Sequence, residues 1–155
     1  MTSLSRAPVV QAEMLIRRPV REVFDAFVDP AVTTKFWFTK SSGILQEGRR
    51  IRWEWEMYGV FDDIFVHAIE ENKRIRIESS DGTEVEWMFE SRGEHETFVT
   101  ITNSGFTGDD DAIVSRAIDS MGGYTMVLCG LKALLEHGVS LNLVADKAPD
   151  AHVNR

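Results

Sequence analysis

The stretch DDDAIVSRAIDSMGGYTMVLCGLKALLEHG, Asp109 to Gly138, decides how this chain folds. Ile113, Val114, Ala117, Ile118, Met121, Tyr124, Thr125, Leu128, Leu131 and Leu135 recur at helical spacing and form one apolar stripe. Asp109, Asp110 and Asp111 supply the acceptors and negative charge that a helix start favours. His137-Gly138 suits a helix end. A helix this long with one apolar stripe needs a surface to cover. Gly122 and Gly123 interrupt it, each at a cost of ~1 kcal/mol relative to alanine. The pair therefore calls for a reason: close approach to a neighbour, a kink, or room beside Tyr124.

The surface comes from the region before it. From Gly43 to Asn103 the apolar period is two. Trp53, Trp55 and Met57 alternate with charged residues, as do Ile75 and Ile77, then Val85, Trp87 and Phe89; Val99 and Ile101 alternate with threonines. Such alternation describes antiparallel strands with one apolar and one wet face. Turn signals at Gly48, Gly59, Asn72, Gly82 and Gly93 separate them. The faces of Phe61 to Ile69 do not sort by alternation. Upstream, Val9 to Ile16 reads as a strand. Pro19 then opens a helix carrying Val20, Val23, Phe24 and Phe27, and Pro30 stops it and starts a second short helix carrying Phe36 and Trp37. The order is strand, two short helices, a meander of about six strands, and a long helix. That predicts an α+β fold, a curved antiparallel sheet around its C-terminal helix, over residues 9–144, with flexible tails at 1–8 and 145–155.

Bulk properties narrow the function. The chain has 155 residues, 43% hydrophobic and 27% charged, which suits one globular domain. A formal net charge of -8 argues against nucleic acid and against anionic membrane surfaces. One cysteine, Cys129, excludes an intrachain disulfide. The sequence has no apolar run that would span a bilayer and no secretory pattern at its start, so a cytoplasmic location and no integral membrane association are expected.

The segments IRRPVREVFDAFVDPAVTTKFW (16–37), VTITNSGF (99–106) and GGYTMVLCGLKALLEHG (122–138) resemble the START-like (SRPBCC, Bet v 1-like) superfamily. Within it they are most similar to the branch named for the activator of the heat-shock-protein-90 ATPase (AHSA-type). The resemblance runs from about Val9 to Leu143. It implies the α+β helix-grip fold, with a cavity between sheet and C-terminal helix; superfamily members bind lipids, sterols, polyketides or plant hormones, and some are cyclases. The branch usually carries tryptophan where this chain has Tyr124, which adds a hydroxyl to the expected cavity wall.

The aromatic inventory carries the functional expectation. Four tryptophans and nine phenylalanines are present, and Trp53, Trp55 and Trp87 fall on the predicted inner face. Rings dominate ordinary cores but also line small-molecule pockets. The expected ligand-binding set is Trp37, Trp53, Trp55, Trp87, Phe89, Asn103, Met121, Tyr124 and Leu128, around a small apolar molecule such as a lipid. Asn103 has a competing role as a turn residue in TNSG. No catalytic motif is present, and none of His67, His95, His137 and His152 stands at metal-ligand spacing, so no metal and no cofactor is expected. Two further readings stay open. A cyclase- or hydrolase-like enzyme would draw on His67, Tyr124 and an inward carboxylate such as Asp63. A chaperone-associated interaction module would need an exposed apolar patch, for which Trp37 and Phe38 are the candidates. Sheet edges and helix faces leave a homodimer open.

Overall fold

The computed structural model describes residues 4–153. Residues 1–3 and 154–155, the ends of the two expected tails, lie outside the described residues. Strand β1 (Val10–Ile16) leads into helices α1 (Val20–Val28) and α2 (Pro30–Thr33). Strands β2 (Lys40–Ser41), β3 (Arg50–Trp55), β4 (Val60–Glu70), β5 (Arg74–Glu78), β6 (Glu84–Ser91) and β7 (Thr97–Ser104) follow, then α3 (Asp110–His137) and α4 (Leu143–Lys147). The seven strands form one antiparallel sheet in the order β1-β7-β6-β5-β4-β3-β2. The meander keeps sequence order, and β1 returns beside β7 to complete it.

Local chemistry sets the boundaries. Pro19 precedes α1, and Asp29 caps α2 by accepting from the Ala31 N–H at 3.0 Å. The buried Thr33 hydroxyl donates to the Ala26 carbonyl and locks the two short helices together. Asp109 caps α3 by accepting from the Ala112 N–H at 2.8 Å, and Gly138 ends it in the left-handed conformation. Phe36 and Trp37 follow α2 in a turn rather than riding on it.

The alternation of Phe61 to Ile69 fails for a structural reason. Val66 pairs with Ile77 and Ala68 with Arg76, so His67 is an extra residue in a β-bulge. The bulge reverses the parity of the strand. Before it, Ile64 and Val66 face inward; after it, Ile69 packs against the core opposite Ile75.

One end of the sheet's inner face is filled. Val23, Phe24 and Phe27 of α1 and Phe36 pack on Trp87 and Phe89, with Phe24–Phe89 ring centroids 5.3 Å apart and Phe27–Trp87 5.8 Å apart. Leu128 and Leu131 of α3 close this region, both without solvent exposure. Gly130 is the point of close approach, since a Cβ there would lie 3.4 Å from the Phe36 backbone oxygen.

The segment after Val144, expected as a tail, is instead structured. Tyr58 donates its hydroxyl to the Val144 carbonyl, the Val153 N–H donates to the Met57 carbonyl, and the His152 ring packs 5.4 Å from that of Tyr58. These contacts hold the segment against the turn after β3. At the other end, the Leu4 N–H donates to the Asp110 carboxylate. No helix among the described residues is long and apolar enough to cross a membrane.

Candidate functional site

The other end of the inner face is hollow. A cavity of about 570 Å³ lies between the sheet and α3. Trp37, Trp53, Trp55, Tyr58, Phe106 and Tyr124 give it aromatic walls; Val60, Ile77, Val85, Met126, Val127 and Val144 add apolar ones. Asp62, Ser79, Asp81, Thr83, Asn103, Arg116, Asp119 and Ser120 make the rest polar.

Trp37 is the hub of the rings. Its centroid is 4.9 Å from Trp53, 5.8 Å from Tyr124 and 6.2 Å from Trp55. Phe38 stacks behind Trp53 at 4.8 Å. Position along the strands explains who faces in. Trp53 and Asp62 are direct cross-strand partners on the inner face, while the next pair, Arg52 and Asp63, forms an ion pair at 2.8 Å on the outer face.

Helix α3 presents Arg116, Asp119, Ser120, Gly123, Tyr124 and Val127 to the cavity. The paired glycines have different surroundings. A Cβ at Gly123 would meet nothing within 4 Å, so this residue leaves open volume; one at Gly122 would be in ordinary contact, 3.6 Å from Lys147 Nζ beside α4.

The polar groups are largely cross-braced. Asn103, only 5% exposed, donates from Nδ2 to the Glu84 carbonyl at 2.8 Å and accepts from the Ser120 hydroxyl at 2.7 Å. It ties β7 to β6 and to α3 while forming part of the wall. Arg116 reaches Asp81 at 2.6 Å and the Thr107 carbonyl at 3.1 Å. Burial works to raise the Asp81 carboxyl, but hydrogen bonds from Thr83 and the Arg116 guanidinium outweigh it and hold the group below its ordinary value. Asp62 accepts from the Ser79 hydroxyl and from the Ser80 N–H, and no cationic side chain pairs with it among the described residues. Burial first, then the charges of Asp62 and Asp81, push the Tyr124 phenol well above its ordinary value, so it stays protonated at neutral pH.

Of the nine residues expected to bind ligand, Trp37, Trp53, Trp55, Asn103 and Tyr124 meet around the cavity. Trp87 stands one layer behind, its ring 6.0 Å from Trp37 and 6.4 Å from Tyr124. Phe89 and Leu128 belong to the filled end. Met121, 43% exposed, lies on the far side of α3 with Ile118 and Val114. The cavity side of this half-helix is polar or glycine, so the apolar stripe points away from the space the helix encloses. Tyr58, Asp62, Asp81, Arg116 and Ser120 were missed in sequence because apolar spacing selects against them; the lone inward carboxylate of β4 was legible only as one of the adjacent pair Asp62-Asp63.

Three other expectations are corrected. Asp63 is outward and paired with Arg52, so the inward carboxylate is Asp62. His67 lies on the outer face in the bulge, 3.1 Å from Glu78; Glu84 is near both, and Arg76 stands 3.8 Å from Glu84. Trp37 and Phe38 do not form an exposed patch, since Phe38 is buried and Trp37 is half-buried in the ring cluster.

The comparisons with known proteins agree with this architecture. A protein of Staphylococcus saprophyticus, SSP2350, is 30% identical with a TM-score of 0.76, covering 86% of this chain and 96% of that one. The Aha1 dimer from Colwellia psychrerythraea is 21% identical with a TM-score of 0.73, covering 84% and 98%. CalU16 from Micromonospora echinospora is 16% identical with a TM-score of 0.68, covering 92% and 83%. No curated protein matches the sequence. Residues 17–136, from the end of β1 to the last turn of α3, match the family model described as activator of Hsp90 ATPase homolog 1-like protein, and the chain belongs to that family, with the helix-grip fold of the START-like superfamily.

Proposed function

We propose that this protein binds a small molecule with a large apolar or aromatic body in the cavity between the sheet and α3. One observation carries the reading: about 570 Å³ stands unfilled where Gly123 faces a ring-lined wall. A volume of this size falls in the ~300–1,000 Å³ range of small-molecule sites. The lining includes carboxylates, hydroxyls and a guanidinium beside the rings, so the ligand has a polar end as well as an apolar body.

The cyclase- or hydrolase-like alternative needs an acid–base group on the wall. Asp62 and Tyr124 are the candidates the cavity offers in place of His67 and Asp63. Their surroundings favour holding over proton transfer. The Tyr124 phenol keeps its proton and is no base at neutral pH, and both Asp62 oxygens already accept hydrogen bonds. Native mass spectrometry of protein purified from its own host, compared with a denatured sample, tests the binding reading. A non-covalent small-molecule adduct supports it. An apo mass with no shift across a panel of lipids and aromatic compounds sinks it.

A second reading concerns assembly. The outward stripe of α3 and the strand edge beside it expose Val9 (61%), Ile118 (67%) and Met121 (43%). A second copy seated on this strip gives a homodimer, and the Colwellia psychrerythraea relative is a dimer.

A further inference from the structure

The charge of the cavity wall is unbalanced. Three carboxylates, Asp62, Asp81 and Asp119, line it against one guanidinium, Arg116. Arg116 is already committed, at 2.6 Å from Asp81. Asp62 and Asp119 have no ion-pair partner among the described residues. Arg52, the cation nearest to Asp62 in the strand register, is on the other face of the sheet and bound to Asp63.

The unbalanced charge sits beside the rings. Asp62 is the cross-strand partner of Trp53, whose ring meets Trp37 at 4.9 Å, and Trp37 meets Tyr124 at 5.8 Å. The raised Tyr124 phenol, with Asp62 and Asp81 among its causes, registers the same negative field from the opposite wall. Ring faces attract cations, most strongly when water is excluded. An anionic head such as a fatty-acid carboxylate meets repulsion here, and a neutral body leaves the field unused.

We propose that the molecule held in this cavity carries a positively charged nitrogen, an ammonium or amine group, seated beside Asp62 against the aromatic wall formed by Trp37, Trp53 and Tyr124. This rests on the cavity-binding reading and adds the charge of the ligand to it.

The test compares three probes of matched shape on the whole chain. Benzyltrimethylammonium is the cation, neopentylbenzene is its neutral isostere, and 3-phenylpropanoate is the anion. Quenching of tryptophan fluorescence reports binding, because three of the four tryptophans line the cavity. At low salt the cation binds at least about tenfold more tightly than the neutral isostere. Added salt shrinks that advantage, and Asp62→Asn reduces the ratio of cation to neutral-isostere affinity several-fold. Should Asp62→Asn not fold, Asp119→Asn and the salt series on the unaltered chain decide the same point. Equal or tighter binding of the neutral or anionic probe overturns the amine inference and leaves the cavity reading standing. No binding by any of the three overturns the cavity reading itself, and the inference with it.

Discussion

Two ends of one inner face, covered by one helix, behave in opposite ways. Beneath α1 and the C-terminal half of α3, rings and aliphatic side chains interlock: Phe24 on Phe89, Phe27 on Trp87, Leu128 and Leu131 without exposure. Beneath the N-terminal half of α3 the same sheet faces open volume, bounded by rings that touch one another more than they fill the space. The difference lies in what α3 turns inward. After Tyr124 it offers Leu128 and Leu131 to the packed core; before it, Arg116, Asp119, Ser120 and Gly123 to the open volume. The helix is a core element at one end and a roof at the other. Stability and recognition are thus assigned to separate stretches of one element, and each can be altered with the other as control.

The largest effect belongs to the filled end. Leu128→Ala removes a side chain with no exposure and leaves a void among Phe and Trp rings that cannot collapse freely. The expected loss is about 2–5 kcal/mol, read as a lower urea midpoint at unchanged slope. Binding of cavity ligands to the fraction still folded is retained. A loss below about 1 kcal/mol means that the two ends do not differ in packing as described.

The hollow end gives the opposite sign. Gly123 is in mid-helix, with normal backbone angles and empty space where a Cβ would go. Gly123→Ala gains up to about 1 kcal/mol of helix propensity. Gly123→Leu fills part of the cavity with apolar surface, keeps most of that gain, and abolishes binding of the aromatic probes. Destabilisation by both substitutions contradicts an open volume at this position, whereas stabilisation with binding intact places the ligand elsewhere. A gain in stability with a loss of binding is the signature of a site maintained at the expense of packing.

The same contrast explains what the sequence made legible. The element order and a sheet covered by the long helix followed from two periodicities, because apolar spacing reports directly on which side of a strand or helix is buried; the helix-grip fold followed from the family resemblance. Trp53 and Trp55 fell on the inner face by that logic, and the paired glycines signalled a special surface on α3. The logic failed where burial and function diverge. Met121 and Leu128 share one stripe, yet only Leu128 meets the sheet; the cavity wall of α3 is polar, so an apolar rule assigned it to solvent. The bulge at His67 reversed the faces of β4, and no composition signal marks it. Asp62 and Asp63 were distinguishable only by register, which neighbouring strands fix. Asn103 is not a turn residue: it lies within β7, forms part of the wall and is bonded to Glu84 and Ser120.

The smallest effect on stability separates the two sides of the hollow-end helix. Ile118 is 67% exposed and faces away from the cavity. Replacing it with lysine, Ile118→Lys, therefore changes monomer stability by no more than about 0.5 kcal/mol and leaves probe binding intact. If a second copy covers the strip formed with Val9 and Met121, the same substitution places a charge in an apolar interface. Sedimentation equilibrium then reports a dimer for the unaltered chain and a monomer for the variant. A chain that is monomeric before substitution removes the assembly reading. A dimer indifferent to Ile118→Lys moves the interface to another surface. Ile113 and Ala117 of this half-helix already pack with Val10 and Phe106, so Ile118→Lys probes the exposed remainder of the stripe for association without touching the cavity.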